Sequence, residues 1–205
     1  MELLKIVALG DATESKTTLV TQSYALLIED TYQKQVVVDG QPYTVEIKDS
    51  SGRDEHRALL DQSIRDAEAF ALVYSVTSRE TFARIEKHYN RIISLKQDYY
   101  EEIPSATESL VRAGLVRRSS VHKTSPMIPI MIIGDNFDKV DKREVSRDEA
   151  IRLAERLECK FLETSTKTSV NVEMCFDTWE NERLREEGKD VRKGRTLRNV
   201  LCCGE

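Results

Sequence analysis

The chain is expected to fold as an α/β domain, a mostly parallel six-stranded sheet with one antiparallel edge strand and helices on both faces. Three observations predict this. Strand-like and helix-like segments take turns along the sequence. The runs Leu3 to Leu9, Ala69 to Val76 and Ile128 to Ile133 are apolar and rich in strand-forming residues, as strands covered on both faces are. A hairpin signal, Val36-Val37-Val38-Asp39-Gly40-Gln41-Pro42-Tyr43, turns at Asp-Gly and supplies the antiparallel pair.

Each element has its own signal. Leu3 to Leu9 reads as a buried strand, and helical periodicity follows Lys16. After the hairpin, Tyr43, Val45 and Ile47 alternate with polar residues toward Asp49, the period of a strand. Apolar positions then recur at helical spacing around Arg57 to Asp66, in Arg79 to Leu95, in Arg147 to Leu157 and in Val172 to Glu187.

Composition suits one core: 205 residues, 40% hydrophobic and 33% charged. The net charge of -5, with no basic patch in the body of the chain, argues against nucleic acid as a partner. No apolar stretch approaches the ~20 residues needed to span a bilayer. Met1 to Lys5 enters a strand instead of a leader, so synthesis in the cytosol is expected. Cys159 and Cys175 stand alone within periodic segments and read as small buried residues, ahead of metal ligands or a disulfide.

Chemistry enters at Gly10-Asp11-Ala12-Thr13-Glu14-Ser15-Lys16-Thr17, which follows the first strand and fits the phosphate-binding pattern GxxxxGK[ST] except at Ser15. A loop from a buried strand into a helix aims backbone N–H groups inward, while Lys16 adds charge and Thr17 a hydroxyl for Mg²⁺. If position 15 required positive φ, a Cβ there would cost roughly 1 kcal/mol. Asp49-Ser50-Ser51-Gly52-Arg53 ends a hairpin strand at the same edge of the sheet, where a magnesium and a γ-phosphate would need a carboxylate and a glycine N–H. Taken alone, those residues read more plainly as an ordinary Asp-Ser-Ser-Gly turn, and their position about 35 residues after the phosphate loop removes that preference.

With these motifs in order, the chain resembles the small GTPases of the Ras family. Ile28 to Gly40 looks like the family's effector strand and hairpin, and the Asp49 segment like its DxxG motif. Ile128 to Asp138 is similar to the strand leading into the NKxD guanine motif, and Glu163-Thr164-Ser165-Thr166-Lys167 to the ETSAK loop. The resemblance implies a G domain over residues 1–187, GTP and GDP binding with Mg²⁺, and effector or regulator proteins met through residues 28–34 and 53–66.

Carried over residue by residue, the resemblance implies that Gly10, Thr13, Ser15, Lys16, Thr17 and Thr18 surround the phosphates. Lys16 serves the β- and γ-phosphates, Thr17 and Asp49 the metal, and the Gly52 N–H the γ-phosphate. Asp138 accepts from the guanine ring, steadied by Ser165, and a loop N–H around Thr166 serves the base carbonyl, with Lys167 beside it.

Departures all weaken this pattern. Asp135 replaces the family's asparagine and Asn136 its lysine, so reduced nucleotide affinity is expected. Arg53 stands at the water-orienting glutamine and Ala12 at a common glycine, so hydrolysis should be poor. The first switch is shorter than the family's by about eight residues, and Leu27 occupies its threonine position. An inserted loop, about residues 99–126, carries Arg117-Arg118-Ser119-Ser120, a candidate kinase site.

Residues 188–205 form a basic tail with Lys189, Arg192, Lys193, Arg195 and Arg198 before Cys202 and Cys203, a poor CaaX ending that also resembles CCxx termini. Lipid on these thiols plus the basic run would hold the protein on the cytoplasmic face of a membrane, most naturally the plasma membrane; without it the chain stays in the cytosol. Three functions follow. The first is a Ras-like signalling GTPase with slow hydrolysis, and the second a pseudo-GTPase serving as a nucleotide-independent protein-binding module. A P-loop kinase is the third, but it has no identifiable lid arginines and does not account for the Thr164 to Lys167 loop.

Overall fold

A computed structural model describes residues 2–11, 14–23, 25–28, 31–38, 41–50, 57–102 and 128–175. Seven strands form one sheet: β1 (Glu2–Gly10), β2 (Ala25–Ile28), β3 (Thr31–Val38), β4 (Gln41–Asp49), β5 (Ala69–Ser75), β6 (Ile130–Asp135) and β7 (Lys160–Thr164). Their order is β2-β3-β4-β1-β5-β6-β7. The pairs of β1 with β4 and β5, of β5 with β6, and of β6 with β7 are parallel, and β3 lies antiparallel to β4.

Six strands are the expected sheet, and β2 is an addition at its edge. It pairs antiparallel with β3 through Ala25↔Gln33, Leu26↔Tyr32 and Ile28↔Thr31, with a register shift at Leu27. In the segment where a shortened first switch was expected, α1 (Glu14–Ser23) is followed almost at once by the extended chain of β2.

The central strands are mostly apolar because both faces are buried. Every residue of β5 and β6 is buried. One parity, with Ile6, Ala8, Ala71, Val73 and Ile133, packs under Leu19 and Val20 of α1 and Val172. The opposite parity, with Val7, Leu9, Phe70, Leu72, Ile132 and Phe161, packs under α2 (Arg57–Asp66), α4 (Ile85–Glu102) and α5 (Arg147–Arg156). Cys159 and Cys175 are both free thiols in these cores.

Helix ends are set by local chemistry. Ser146 caps α5 by accepting the Glu149 N–H at 3.2 Å, with Asp148 and Glu149 complementing the positive end of the helix. Ser78 likewise caps the short α3 (Arg79–Ala83). The single helix expected over Arg79 to Leu95 is interrupted at Arg84, whose N–H turns back to the Phe82 carbonyl. Phe82 leans on Tyr74 with ring centroids 4.9 Å apart, and Ile85 is fully buried, so two anchors pull the chain inward around that break. In the other direction α4 runs further than expected, to Glu102, four residues into the segment assigned to the inserted loop. The Asp39-Gly40 turn, Arg117 to Ser120 and everything after Cys175 lie outside the described residues.

Lys96 of α4 is buried and closes the end of α2. Its ammonium donates to the Arg65 carbonyl at 2.6 Å and to the Ala67 carbonyl, and sits 5.8 Å over the Phe70 ring. Burial pulls its pKa below the usual lysine range, against the pull of Asp66 and Glu68. Lys96→Met would strand two carbonyls, so a loss of about 2 kcal/mol is expected, read as a Tm roughly 5 °C lower in thermal unfolding.

Candidate functional site

The parallel strands β1, β4, β5, β6 and β7 all end at one edge of the sheet, the edge at which doubly wound folds bind ligands. Two polar clusters form there. The first joins α1 to the end of β4. Lys16 and Asp49 are 2% and 5% exposed, and Lys16 Nζ lies 2.5 Å from Asp49 Oδ1. The same ammonium donates to the Ser50 carbonyl. Thr17 Oγ1 donates to Asp49 Oδ2 at 2.5 Å. Lys16, Thr17 and Asp49, named from sequence as phosphate and metal residues, are therefore brought together.

Gly10 closes β1 directly against β5, where a Cβ would stand 2.4 Å from the Val73 carbonyl oxygen. Ser15 lies within α1, so the left-handed strain considered for that position does not arise. Thr18 is half-buried on α1, and its carbonyl accepts the Thr21 hydroxyl at 3.1 Å. Ala12, Thr13, Gly52 and Arg53 lie outside the described residues.

The second cluster joins the ends of β6 and β7. Ser165 Oγ donates to Asp138 Oδ1 at 2.6 Å and accepts the Thr168 N–H at 3.2 Å. Asp135, wholly buried, accepts from the Thr164 hydroxyl at 3.1 Å, the Thr166 N–H at 3.0 Å and the Thr166 hydroxyl at 3.1 Å. Thr166 lies in the loop from which an N–H was expected to serve a base carbonyl, and its own N–H donates to Asp135. As a carboxylate, Asp135 accepts and offers no donor of its own.

Asn136 adopts φ 69°, a left-handed conformation that asparagine tolerates, and its amide donates to Ser75 Oγ at 3.1 Å. Its side chain is thereby tied to the end of β5. Lys167 is exposed.

Several residues of this edge were not singled out from sequence. Gln22, at the end of α1, donates to the Thr166 carbonyl and bridges the two clusters. Arg84 pairs with Asp11 at 2.7 Å and tethers the start of the phosphate loop to the α3–α4 break. Nothing local marks such pairs, which depend on strand order.

His88 of α4 lies near that tether, and its Nε2 is buried without a hydrogen-bond partner among the described residues. Burial pulls its pKa below the ordinary 6.5, Asp11 pushes it back, and Arg91, Lys87 and Lys16 lower it further. With the folded value depressed, the unfolded chain takes up the proton first. Stability from neutral His88 is complete above about pH 6.5 and is lost as pH falls through the folded value. Thermal unfolding should show Tm falling between pH 7 and pH 5.5, and falling less in His88→Phe.

For partners, the edge assigned to residues 28–34 is already paired with β2 at Thr31, Tyr32 and Gln33. In the second partner segment, residues 53–56 lie outside the described residues. Residues 57–66 are α2, held to α4 by Asp61–Arg91 at 2.6 Å, with Leu59 exposed. Among the described residues no helix is long and apolar enough to cross a membrane. None of them forms a cluster of three or more metal-ligating side chains. A phosphate-bound Mg²⁺ requires only one or two carboxylates.

Against this geometry stand the comparisons with known proteins. A model of the Ras family matches residues 5–106 and 102–184. The chain belongs to the Ras family. It is 41% identical over 182 residues to Protein ras-2 of Neurospora crassa, covering 85% of this chain and 76% of that protein. It is also 41% identical over 184 residues to Ras-like protein B of Aspergillus fumigatus, covering 86% and 75%. Against Ras-like protein 1 of Saccharomyces cerevisiae identity is 33% over 180 residues, covering 84% of this chain and half of that protein. Ras-family membership places the chain among small GTP-binding signalling proteins and agrees with the sheet order.

Proposed function

We propose that this chain binds GTP and GDP with Mg²⁺ at the carboxyl edge of its sheet, hydrolyses GTP slowly, and signals from a membrane surface. The supporting observation is the convergence of Lys16, Thr17 and Asp49 within 2.5 Å contacts. The donor set fits the group. Asp49 Oδ2 and Thr17 Oγ1 are adjacent hard oxygens of the kind Mg²⁺ takes, and Lys16 is a buried cation for phosphate. The metal, when bound, supplies neutralisation of phosphate charge. Lys16 must first leave Asp49 and the Ser50 carbonyl, and that exchange lowers affinity. Asp138, oriented by Ser165, is the acceptor for guanine N–H groups.

Hydrolysis is slow in this reading because Arg53 has no amide to orient water. Regulators or effectors would meet α2 or the β2–β3 edge, whose outermost strand is now β2. Cys202 and Cys203, with the basic tail, would carry lipid on the cytoplasmic face of the plasma membrane. A Cys202→Ser, Cys203→Ser chain that kept its membrane fraction would end that part of the proposal.

The test is calorimetric titration of nucleotide-stripped protein with GDP and a non-hydrolysable GTP analogue, with and without Mg²⁺, against ATP. Magnesium-dependent, guanine-selective binding is expected, with Arg53→Gln raising GTP turnover on the order of tenfold or more. The pseudo-GTPase reading has specific support: both Lys16 and the Thr166 N–H are committed to protein partners. No detectable heat from folded protein would favour it.

A further inference from the structure

We infer that Asp135 sets base selectivity by holding the Thr166 N–H, so that the pocket reads guanine through Asp138 and is nearly indifferent to the group at the purine six-position. This rests on the guanine-nucleotide reading above. Asp135 ends β6 in register with Thr164 of β7, which places its carboxylate beneath the loop that follows β7. It is wholly buried and collects three donors, among them the Thr166 N–H at 3.0 Å and the Thr166 hydroxyl at 3.1 Å. Hydrogen bonds to a charged acceptor are roughly twice as strong as neutral ones, and a buried carboxylate stripped of donors is costly.

Thr166 is therefore fixed at three points. Its N–H and hydroxyl point to Asp135, and its carbonyl accepts from Gln22 of α1. Turning the N–H toward a ligand would break bonds to both β6 and α1. A base carbonyl next to Thr166 would meet a committed donor with negative charge behind it, and would gain little. The N1–H and amino edge differs, because Asp138 is half-buried and oriented by Ser165 at 2.6 Å, an acceptor suited to those two donors.

The closing experiment compares GDP with 6-thio-GDP on the nucleotide-stripped full chain, wild type and Asp135→Asn, by calorimetry in Mg²⁺ buffer. The thio analogue keeps N1–H and the amino group and replaces only the carbonyl oxygen with sulfur, a poorer acceptor. Wild type should bind the two within about threefold. Asp135→Asn removes the charge that holds the N–H and should bind GDP about tenfold more tightly, with a smaller gain for 6-thio-GDP. A wild type that prefers GDP tenfold or more, or an Asp135→Asn variant with unchanged affinity and ratio, overturns the inference.

Amide hydrogen exchange of Thr166 without nucleotide reads the hold itself. Protection in wild type and faster exchange in Asp135→Asn are expected, and solvent-rate exchange in wild type overturns the inference whatever binds. If the amide is protected and neither protein binds any guanine nucleotide, the nucleotide reading fails and the selectivity role fails with it. The two failures are thereby told apart.

Discussion

Lys16→Met should cost about 3–5 kcal/mol of stability, the penalty for leaving a buried carboxylate without its cation. Asp49 is nearly inaccessible, and losing Lys16 leaves it the Thr17 hydroxyl at 2.5 Å and no cation among the described residues. For a domain of this size the change corresponds to a Tm roughly 10 °C lower. Adding Asp49→Leu should return most of that loss, since apolar replacement of a whole buried ion pair is often neutral. A double-mutant cycle by thermal unfolding measures the coupling directly. An unaltered Tm in Lys16→Met would show that the pair carries no such energy. Full recovery in the double variant would show that the pair is kept for ligand chemistry, since the fold would stand without it.

Legibility in the sequence followed burial. The strands β5 and β6 are buried along their whole length and β1 from Ile6 onward, and their strongly apolar runs made them the easiest elements to read. The β2 strand was not legible: Ala25-Leu26-Leu27-Ile28 is four apolar residues beside a helix, and periodicity cannot tell such a run from another helical turn. Its state is decided by hydrogen bonds to β3, which sequence does not display. The break at Arg84 was equally hidden, with no glycine or proline to mark it, because its anchors, Phe82 against Tyr74 and the buried Ile85, depend on packing with other elements.

At the site, residue types were readable and their partners were not. Asp135 could be seen to lack an amide donor, but that it would capture the Thr166 N–H follows from the β6–β7 register. Lys16 and Asp49 could be placed at one sheet edge, while their direct pairing depends on how α1 starts. The concern over Ser15 dissolved for the same reason, since the helix takes in that residue.

Of the two described glycines, Gly10 and Gly134, Gly10→Ala should be the more damaging. Its Cβ would lie 2.4 Å from the Val73 carbonyl oxygen and 3.3 Å from the carbonyl carbon, both backbone atoms of β5. Side-chain rearrangement cannot relieve that contact, so one central strand must move relative to the other, at about 3 kcal/mol. The displaced end of β1 leads into Asp11 and then α1, so the Lys16–Asp49 geometry should be disturbed with it. Adding Val73→Ala should give no rescue, because the obstacle is a carbonyl. Gly134→Ala provides the contrast: its Cβ would meet the Tyr74 hydroxyl at 2.7 Å, a side-chain obstacle that Tyr74→Leu removes. Thermal unfolding of the four variants separates the cases. Recovery of Gly10→Ala by Val73→Ala would show that the strand contact is looser than 2.4 Å implies.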